Sequence, residues 1–402
     1  MFTRTACGGC GGADLQQFLD LGTSPLADYF PATPDEPLTR YPLRVAVCTS
    51  CWLAQLLDVV PDEELYGRDY GFYASTSPSI VEYDRKFAAW ALERFPEQIQ
   101  RGVVEIACND GSLLRHLAAT GVKAIGVEPA IGPAVQAERR GLRIKNHPFS
   151  LALGQRLRDE LRRPAGLVIA KNVAAHVADL PDFLAGIAHL IDDKGVAVIE
   201  VQYVGDLLAG NQFDHVYHEH RYFFGVGSLA KAAAVAGLGM VNYRHTDAQG
   251  GSIRAVFRRS SDPGADFGAR GEDWLSQSST YQAVQGRADW IRYKLQDLLD
   301  AEVITAGRGV AGYAASAKSA TLLNWCGIDG KLLDHVVDTT PAKIGRFTPG
   351  TGIPIVGPDD RPTPDTYLLL AWNYLADILR REREFTEAGG RFIVPIPVPV
   401  IL

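Results

Sequence analysis

Two Cys-x-x-Cys pairs, Cys7-Gly8-Gly9-Cys10 and Cys48-Thr49-Ser50-Cys51, constrain the start of this chain more than any other feature. Each pair can present two thiolates from one tight turn, and Gly8, Gly9, Gly11 and Gly12 give the first turn the backbone freedom such a knuckle needs. Four thiolates suit tetrahedral Zn²⁺, so Cys7, Cys10, Cys48 and Cys51 are expected to be its ligands. The 37 residues between the inner cysteines exceed a compact zinc ribbon, so residues 19–22 and 41–47 are predicted to be strands clamped by the metal. Two redox dithiols are the other reading, disfavoured because no βαβ pattern surrounds either pair. A site closed by four thiolates has no position left for substrate, so its job is to hold the fold.

The length of 402 residues suits two or three domains, and 47% hydrophobic with 22% charged residues is ordinary for a soluble globular protein. A formal charge of -7 without a basic stripe argues against a nucleic-acid partner. Met1-Phe2-Thr3-Arg4-Thr5 opens no apolar leader, and no uncharged apolar run reaches the roughly 18 residues of a membrane span. A cytoplasmic protein is therefore expected, with no membrane partner. Six cysteines over this length do not form a disulfide framework.

Beyond residue 60 the chain passes Tyr66, Tyr70 and Tyr73, which suit packing or a site, and Ser77 or Ser79 can cap a helix over 80–95. Val103-Val104-Glu105-Ile106-Ala107-Cys108-Asn109-Asp110-Gly111 reads as a buried strand entering a tight turn, followed by a helix from Ser112. A second strand, Ala124-Ile125-Gly126-Val127, ends in Glu128. Strand, turn, helix, strand and terminal acid form the layout for an adenosine-type ligand, the acid accepting from the ribose hydroxyls. Ala107 and Asn109 stand where a dinucleotide fingerprint wants glycines. That favours S-adenosylmethionine, which brings no pyrophosphate to be cradled.

Further strands over 167–172 and 196–201, with a helix over 180–191 between them, continue the βα pattern and imply a doubly wound, mostly parallel sheet. At the carboxyl ends of these strands lie Asn172, His176 and the stretch 211–220, which ends in Tyr217-His218-Glu219-His220. If extended, that stretch points Tyr217 and Glu219 one way and His218 and His220 the other. Gly250-Gly251-Ser252 opens a late hairpin strand, as a plain turn or as a place where backbone amides approach a phosphate. The polar stretch 260–279 is the candidate linker. Val284, Ala288, Ile291, Leu295 and Leu298 then mark a long amphipathic helix leading to a last α/β unit. There a strand turns into a helix at Ala314-Ala315-Ser316-Ala317-Lys318, whose small residues and lysine suit an anion, unless the unit only packs on its neighbour. Strands over 335–338, 366–373 and 391–395 complete it.

Taken together, the four cysteines, the 105–111 and 172–180 stretches, Tyr217-His218-Glu219-His220, Gly250-Gly251-Ser252, Ala315-Ser316-Ala317-Lys318 and Pro395-Ile396-Pro397 resemble the S-adenosylmethionine-dependent sugar C-methyltransferases. These act on nucleotide-linked 4-keto deoxysugars in branched-sugar biosynthesis. Ala107 departs from the family, which usually has Gly there. The resemblance implies an N-terminal zinc-binding domain over 1–70, a Rossmann-like methyltransferase domain over 71–275 and a C-terminal Rossmann-like α/β domain over 276–402. It implies that His220 removes the proton beside the ketone, that Glu219 assists at the enolate, and that Tyr73, His176 and Tyr217 line the site. Cofactor contacts are expected from Glu105, Ala107, Asn109, Asp110, Gly111, Glu128 and Asn172. Substrate contacts are expected from Gly251, Ser252, Ser316, Lys318 and Asn373, in a monomer or weak homo-oligomer.

Three rivals stand beside this reading. One is a methyltransferase of the same build acting on an oxygen or on another ketone. Another is a second, catalytic zinc at His215, His218 and His220, whose spacing allows it. The third is a non-catalytic nucleotide-sugar module, which would have no use for Glu128 and the 109–111 turn.

Overall fold

The computed structural model describes residues 1–66, 71–260, 271–360 and 362–402. Tyr70 and half of the expected linker, residues 261–270, lie outside them.

Strands Leu15–Pro25, Arg40–Cys48 and Ala54–Leu56 form an antiparallel sheet on the two knuckles, as the metal clamp requires. Its fourth strand, Tyr222–Phe223, comes from far along the chain, directly after the Tyr-His-Glu-His stretch, and pairs with Ala54–Leu56. The N-terminal sheet is thereby built onto the candidate site.

The central sheet has seven strands, in the order Leu238–Thr246, Ser252–Arg259, Ile191–Gln202, Ala165–Lys171, Val103–Ile106, Ala124–Val127 and Arg143–Lys145. The last five run parallel, and the late hairpin adds two antiparallel strands. Val103–Ile106 has Ala165–Lys171 on one side and Ala124–Val127 on the other, so the strand order reverses there. Open α/β sheets bind ligands in the crevice outside that point. The inner strands are buried on both faces, by helices Leu151–Leu161 and Leu180–Leu190 on one side and Pro78–Arg94 on the other.

The C-terminal sheet repeats the device with six strands, all parallel except the last, Val400–Ile401. Val310–Tyr313 lies between Val336–Val337 and Thr366–Leu369, and its carboxyl end leads into helix Ala317–Cys326. Lys318 therefore sits at a second reversal point. The amphipathic helix Val284–Asp300 buries Val284, Ala288, Ile291, Leu295 and Leu299 in a core shared by the N-terminal and C-terminal sheets.

Several local expectations change. Ser77 occupies the cap position of Pro78–Arg94, but its hydroxyl meets Ser79 Oγ at 3.0 Å and caps no amide. The strand expected over 366–373 ends at Leu369, and Asn373 lies in a 3-10 turn, Trp372–Tyr374. The described end of the linker is packed: Glu272 accepts the amides of Val226 (2.8 Å) and Gly227 (2.9 Å), and Leu275 is buried.

Candidate active site

The crevice of the central sheet starts at residues 107–111. Ala107, Asn109 and Gly111 have φ of 55°, 51° and 79°, so the turn takes a glycine-like path although two of the three positions carry side chains. Only Gly111 has to lack one, since a Cβ there would run into Leu142. Glu128, 4% exposed, holds the turn: its carboxylate accepts the amides of Asn109 and Ala130, each at 2.8 Å. Those two bonds leave lone pairs on both oxygens for a ligand. Burial raises the Glu128 carboxyl, and the two amides pull it back.

Asp110, expected at the cofactor, is spent elsewhere. It bonds Ser75 and pairs with Arg140 at 3.1 Å, with its side chain 1% exposed. Asn109 likewise grips the 72–76 segment, its Oδ1 accepting Ala74 N–H (2.8 Å) and its Nδ2 donating to the Phe72 carbonyl (3.0 Å). Tyr73 rides on that segment, and a Cβ on Gly132 would strike its hydroxyl. The structure thus puts Tyr73 beside the 107–111 turn and Gly132. Glu105 is buried below the turn, its carboxyl pushed well up by desolvation against the pull of Lys171. Its Oε2 has no hydrogen-bond partner among the described residues. Asn172, left-handed at φ 54°, donates its amide to the Glu200 carbonyl (2.8 Å) at the rim.

Residues 217–220 are a turn, not the extended strand that would alternate their side chains: the His220 amide donates to the Tyr217 carbonyl at 2.9 Å. Tyr217 and His220 therefore face each other, hydroxyl to Nε2 at 2.7 Å, with ring centroids 4.0 Å apart. His220 Nδ1 lies 2.8 Å from the His215 carbonyl, which can only accept, so Nδ1 carries the proton and Nε2 keeps its lone pair. Burial lowers His220 to about 4, leaving it neutral at physiological pH.

His176 joins from the loop after Ala165–Lys171, its ring edge-on to His220 at 4.9 Å. Its Nδ1 is 3.3 Å from the Tyr66 hydroxyl and 4.0 Å from Glu219 Oε2. Desolvation holds His176 well below its ordinary range, so it too is neutral. The same burial, reinforced by Asp28, raises Glu219 well above the usual carboxylate range. An imidazole with a fixed lone pair, a carboxyl whose ionisation burial disfavours and a phenol thus lie together.

His218 turns away, its Nε2 3.2 Å from the Pro42 carbonyl and its ring against Tyr41. His215 meets the Gln202 amide through Nδ1. The three imidazoles do not converge on one point. Among the described residues, the one group of three or more potential metal ligands that comes together is Cys7, Cys10, Cys48 and Cys51. Their sulfurs all lie within 4.8 Å, with Cys7–Cys51 at 3.6 Å and Cys10–Cys48 at 3.7 Å. Four thiolates at ~2.3 Å from a central Zn²⁺ stand roughly 3.8 Å apart, so the cluster fits zinc. Gly9 N–H and Gln55 Nε2 also donate to Cys7 Sγ (3.4 and 3.2 Å), as thiolates attract.

From the C-terminal sheet comes Lys318, 8% exposed, its Nζ bonded to Asn373 and lying over Trp372 at 4.9 Å. Trp372 donates to Asp214 at 2.7 Å, and Thr321 donates to the Val216 carbonyl at 2.8 Å, so the C-terminal unit is fastened to the stretch that leads into the 217–220 turn. Burial lowers Lys318 to about 8 while Asp214 pushes back, and the lysine's charge in turn acts on His220. Ser316 stands at the helix N-cap, with its hydroxyl 3.4 Å from the Leu370 carbonyl. Gly251 and Ser252, expected at the substrate, hold their own turn. Asp206 fills the space a Gly251 side chain would need, and the buried Ser252 hydroxyl donates to the Ala248 carbonyl (2.9 Å).

Sequence reasoning passed over Tyr66, Asp214, Arg221 and Trp372. Tyr66 was legible only as one of a tyrosine cluster, and the other three carry no local signal, because their partners are remote in sequence: Asp214 and Trp372 are 158 residues apart, Arg221 and Asp62 159, and Arg221 and His176 45.

Family models match three successive segments of the chain. Residues 7–66 match the family model described as "Putative zinc binding domain", 80–243 a methyltransferase domain, and 247–397 a C-methyltransferase C-terminal domain. Among solved structures, magnesium protoporphyrin IX methyltransferase from Synechocystis PCC 6803 with bound S-adenosylmethionine is 15% identical, covering 49% of this chain and 89% of its own, at a TM-score of 0.35. CcbJ methyltransferase from Streptomyces caelestis is 14% identical, covering 50% of this chain and 96% of its own, at 0.36. The C-methyltransferase NovU of Streptomyces niveus is 34% identical over 98% of this chain and 96% of its own length. With the zinc-fitting thiolates, the crevice turn and the 217–220 turn all inside the matched segments, this chain belongs to the C-methyltransferase family.

Proposed function

We propose that this enzyme methylates the carbon beside the ketone of a nucleotide-linked 4-keto deoxysugar, by way of an enolate. In this reading residues 1–70 hold zinc, 71–275 bind S-adenosylmethionine and 276–402 hold the nucleotide. The observation that carries it is His220, a neutral imidazole whose lone pair is fixed by the His215 carbonyl, beside a carboxyl whose ionisation burial disfavours. Carbon is no nucleophile until deprotonated, so the reaction needs this base and then donors for the oxygen that gains charge. An O-methyltransferase would need the base alone.

S-adenosylmethionine supplies an electrophilic methyl group when bound. The Tyr217 hydroxyl occupies the His220 lone pair. Substrate entry displaces it, freeing His220 to take the carbon-bound proton and Tyr217, with Glu219, to donate to the enolate oxygen. The imidazolium that forms beside the enolate is stabilised by that opposite charge, which offsets the burial that holds His220 down. Mass spectrometry of nucleotide 4-ketosugars incubated with cofactor tests the reading. The product gains one methyl on carbon and loses one carbon-bound hydrogen, whereas a methyl found on oxygen contradicts it.

Glu128→Ala removes the acceptor proposed for the ribose and the brace of the 107–111 turn. Cofactor binding weakens by roughly 1.5–3 kcal/mol, the range for a hydrogen bond to a charged group. Titration calorimetry showing parental affinity would mean Glu128 is misassigned.

Lys318 is proposed to hold the nucleotide's diphosphate, at a helix N-terminus and a strand-order reversal, both of which favour anions. Lys318→Ala should weaken nucleotide-sugar binding about 10- to 100-fold, as loss of a charge-assisted bond does, and leave cofactor affinity unchanged. Equal loss of both affinities would make the residue structural.

A further inference from the structure

Arg221 follows the 217–220 turn and is completely buried, at 0% exposure. Its guanidinium donates to the carbonyls of His176 and Val60, each at 2.7 Å, and meets Asp62 at 2.5 Å. Its own amide donates to the Ala175 carbonyl (2.8 Å), and its carbonyl accepts the Leu56 amide (3.0 Å). One residue therefore ties together the N-terminal sheet, the loop that carries His176 and the turn that carries Glu219 and His220. Its carboxylate partner is 53% exposed. A charge buried so deeply against so wet a partner gains little stability, and an apolar side chain would fill the space at lower cost. The charge is therefore expected to serve the site.

We propose that Arg221 is a positioning residue for methyl transfer, anchoring His176 and Glu219 to the N-terminal sheet through a charge balanced by Asp62. This rests on the roles proposed above for Glu219 and His220. The groups facing Glu219 are Asp28 from the segment after Leu15–Pro25, Tyr66 from helix Asp62–Tyr66, His176 from the loop after Ala165–Lys171, and Arg221 itself. Asp28 and burial raise the Glu219 carboxyl, while Arg221 lowers it. If Glu219 works protonated, the rate falls as pH rises through its ionisation, and the position of that alkaline limb reads the local charge. Removing the Arg221 cation moves the limb up. Removing the Asp62 anion leaves the cation unbalanced and moves it down.

The experiment measures pH–rate profiles of methyl transfer for Arg221→Gln, Arg221→Lys and Asp62→Asn, with His220→Gln in the same assay. Arg221→Gln is expected to lose about 10- to 100-fold in kcat, the range for hydrogen bonds to a charged group, with its limb displaced upward. Arg221→Lys keeps the charge, and so the limb, but loses rate because an ammonium cannot replace the planar fork across His176, Val60 and Asp62. Asp62→Asn, at an exposed position, folds normally and shifts the limb downward. Limbs that stay in place in both Arg221→Gln and Asp62→Asn overturn the proposal, and if Arg221→Gln fails to fold, Asp62→Asn alone decides. Parental turnover by His220→Gln would instead overturn the assignment of the base, a separate failure.

Discussion

Stripping the metal from Cys7, Cys10, Cys48 and Cys51 unfolds the N-terminal sheet and abolishes methyl transfer with it. A structural zinc site of this kind contributes ~10–16 kcal/mol of binding free energy that exists only in the folded state. Whole domains are stable by only about 5–15 kcal/mol, so the sheet between the knuckles has no reserve to survive the loss. The functional loss follows from topology. Tyr222–Phe223 is a strand of that sheet and leaves the 217–220 turn after a single residue, Arg221. Circular dichroism and turnover, followed together during chelation, should fall in step and recover when zinc returns. Elemental analysis finding no zinc in protein purified without chelator contradicts the assignment, and so does full activity after complete chelation.

Much of this was legible from the chain because the governing signals are local. The βα pattern, the acid at the end of the second strand and the paired cysteines each lie within a short window, and the structure builds the corresponding strands, turn and thiolate cluster. Tyr217, Glu219 and His220 were visible as a cluster, but their geometry was not. Four residues read equally well as a strand or a turn, and the His220–Tyr217 backbone bond decides for the turn.

What escaped depends on partners remote in sequence. A two-residue strand such as Tyr222–Phe223 has no periodicity to detect. Asp110 was expected at the cofactor from its place in the 105–111 stretch, and its partners Ser75 and Arg140 are brought to it only by the fold. Ala107 departs from the family's usual Gly, yet the backbone there takes the left-handed path that glycine ordinarily supplies.

Replacing His220 by Gln has the largest expected effect on chemistry. Glutamine retains a polar side chain of similar reach but cannot accept a proton at neutral pH, so methyl transfer falls by the ~10²- to 10⁴-fold that a general base contributes. Cofactor binding is unchanged, because the 107–111 turn and Glu128 make no contact that depends on the imidazole. Glu219→Gln retains a hydrogen-bond donor without the acid and should lose less. In deuterated water, with a cofactor analogue that cannot give up its methyl, the parent exchanges the one carbon-bound proton beside the ketone, whereas His220→Gln does not.

The most direct test of the central claim is the single-turnover rate of methyl transfer for His220→Gln beside Glu219→Gln, each saturated with cofactor and substrate. The account predicts that His220→Gln is the slower of the two, by at least the ~10²-fold lower bound for a lost general base relative to the parent. A His220→Gln enzyme that methylates at the parental rate, with Glu219→Gln inactive, would contradict it and make Glu219 the base.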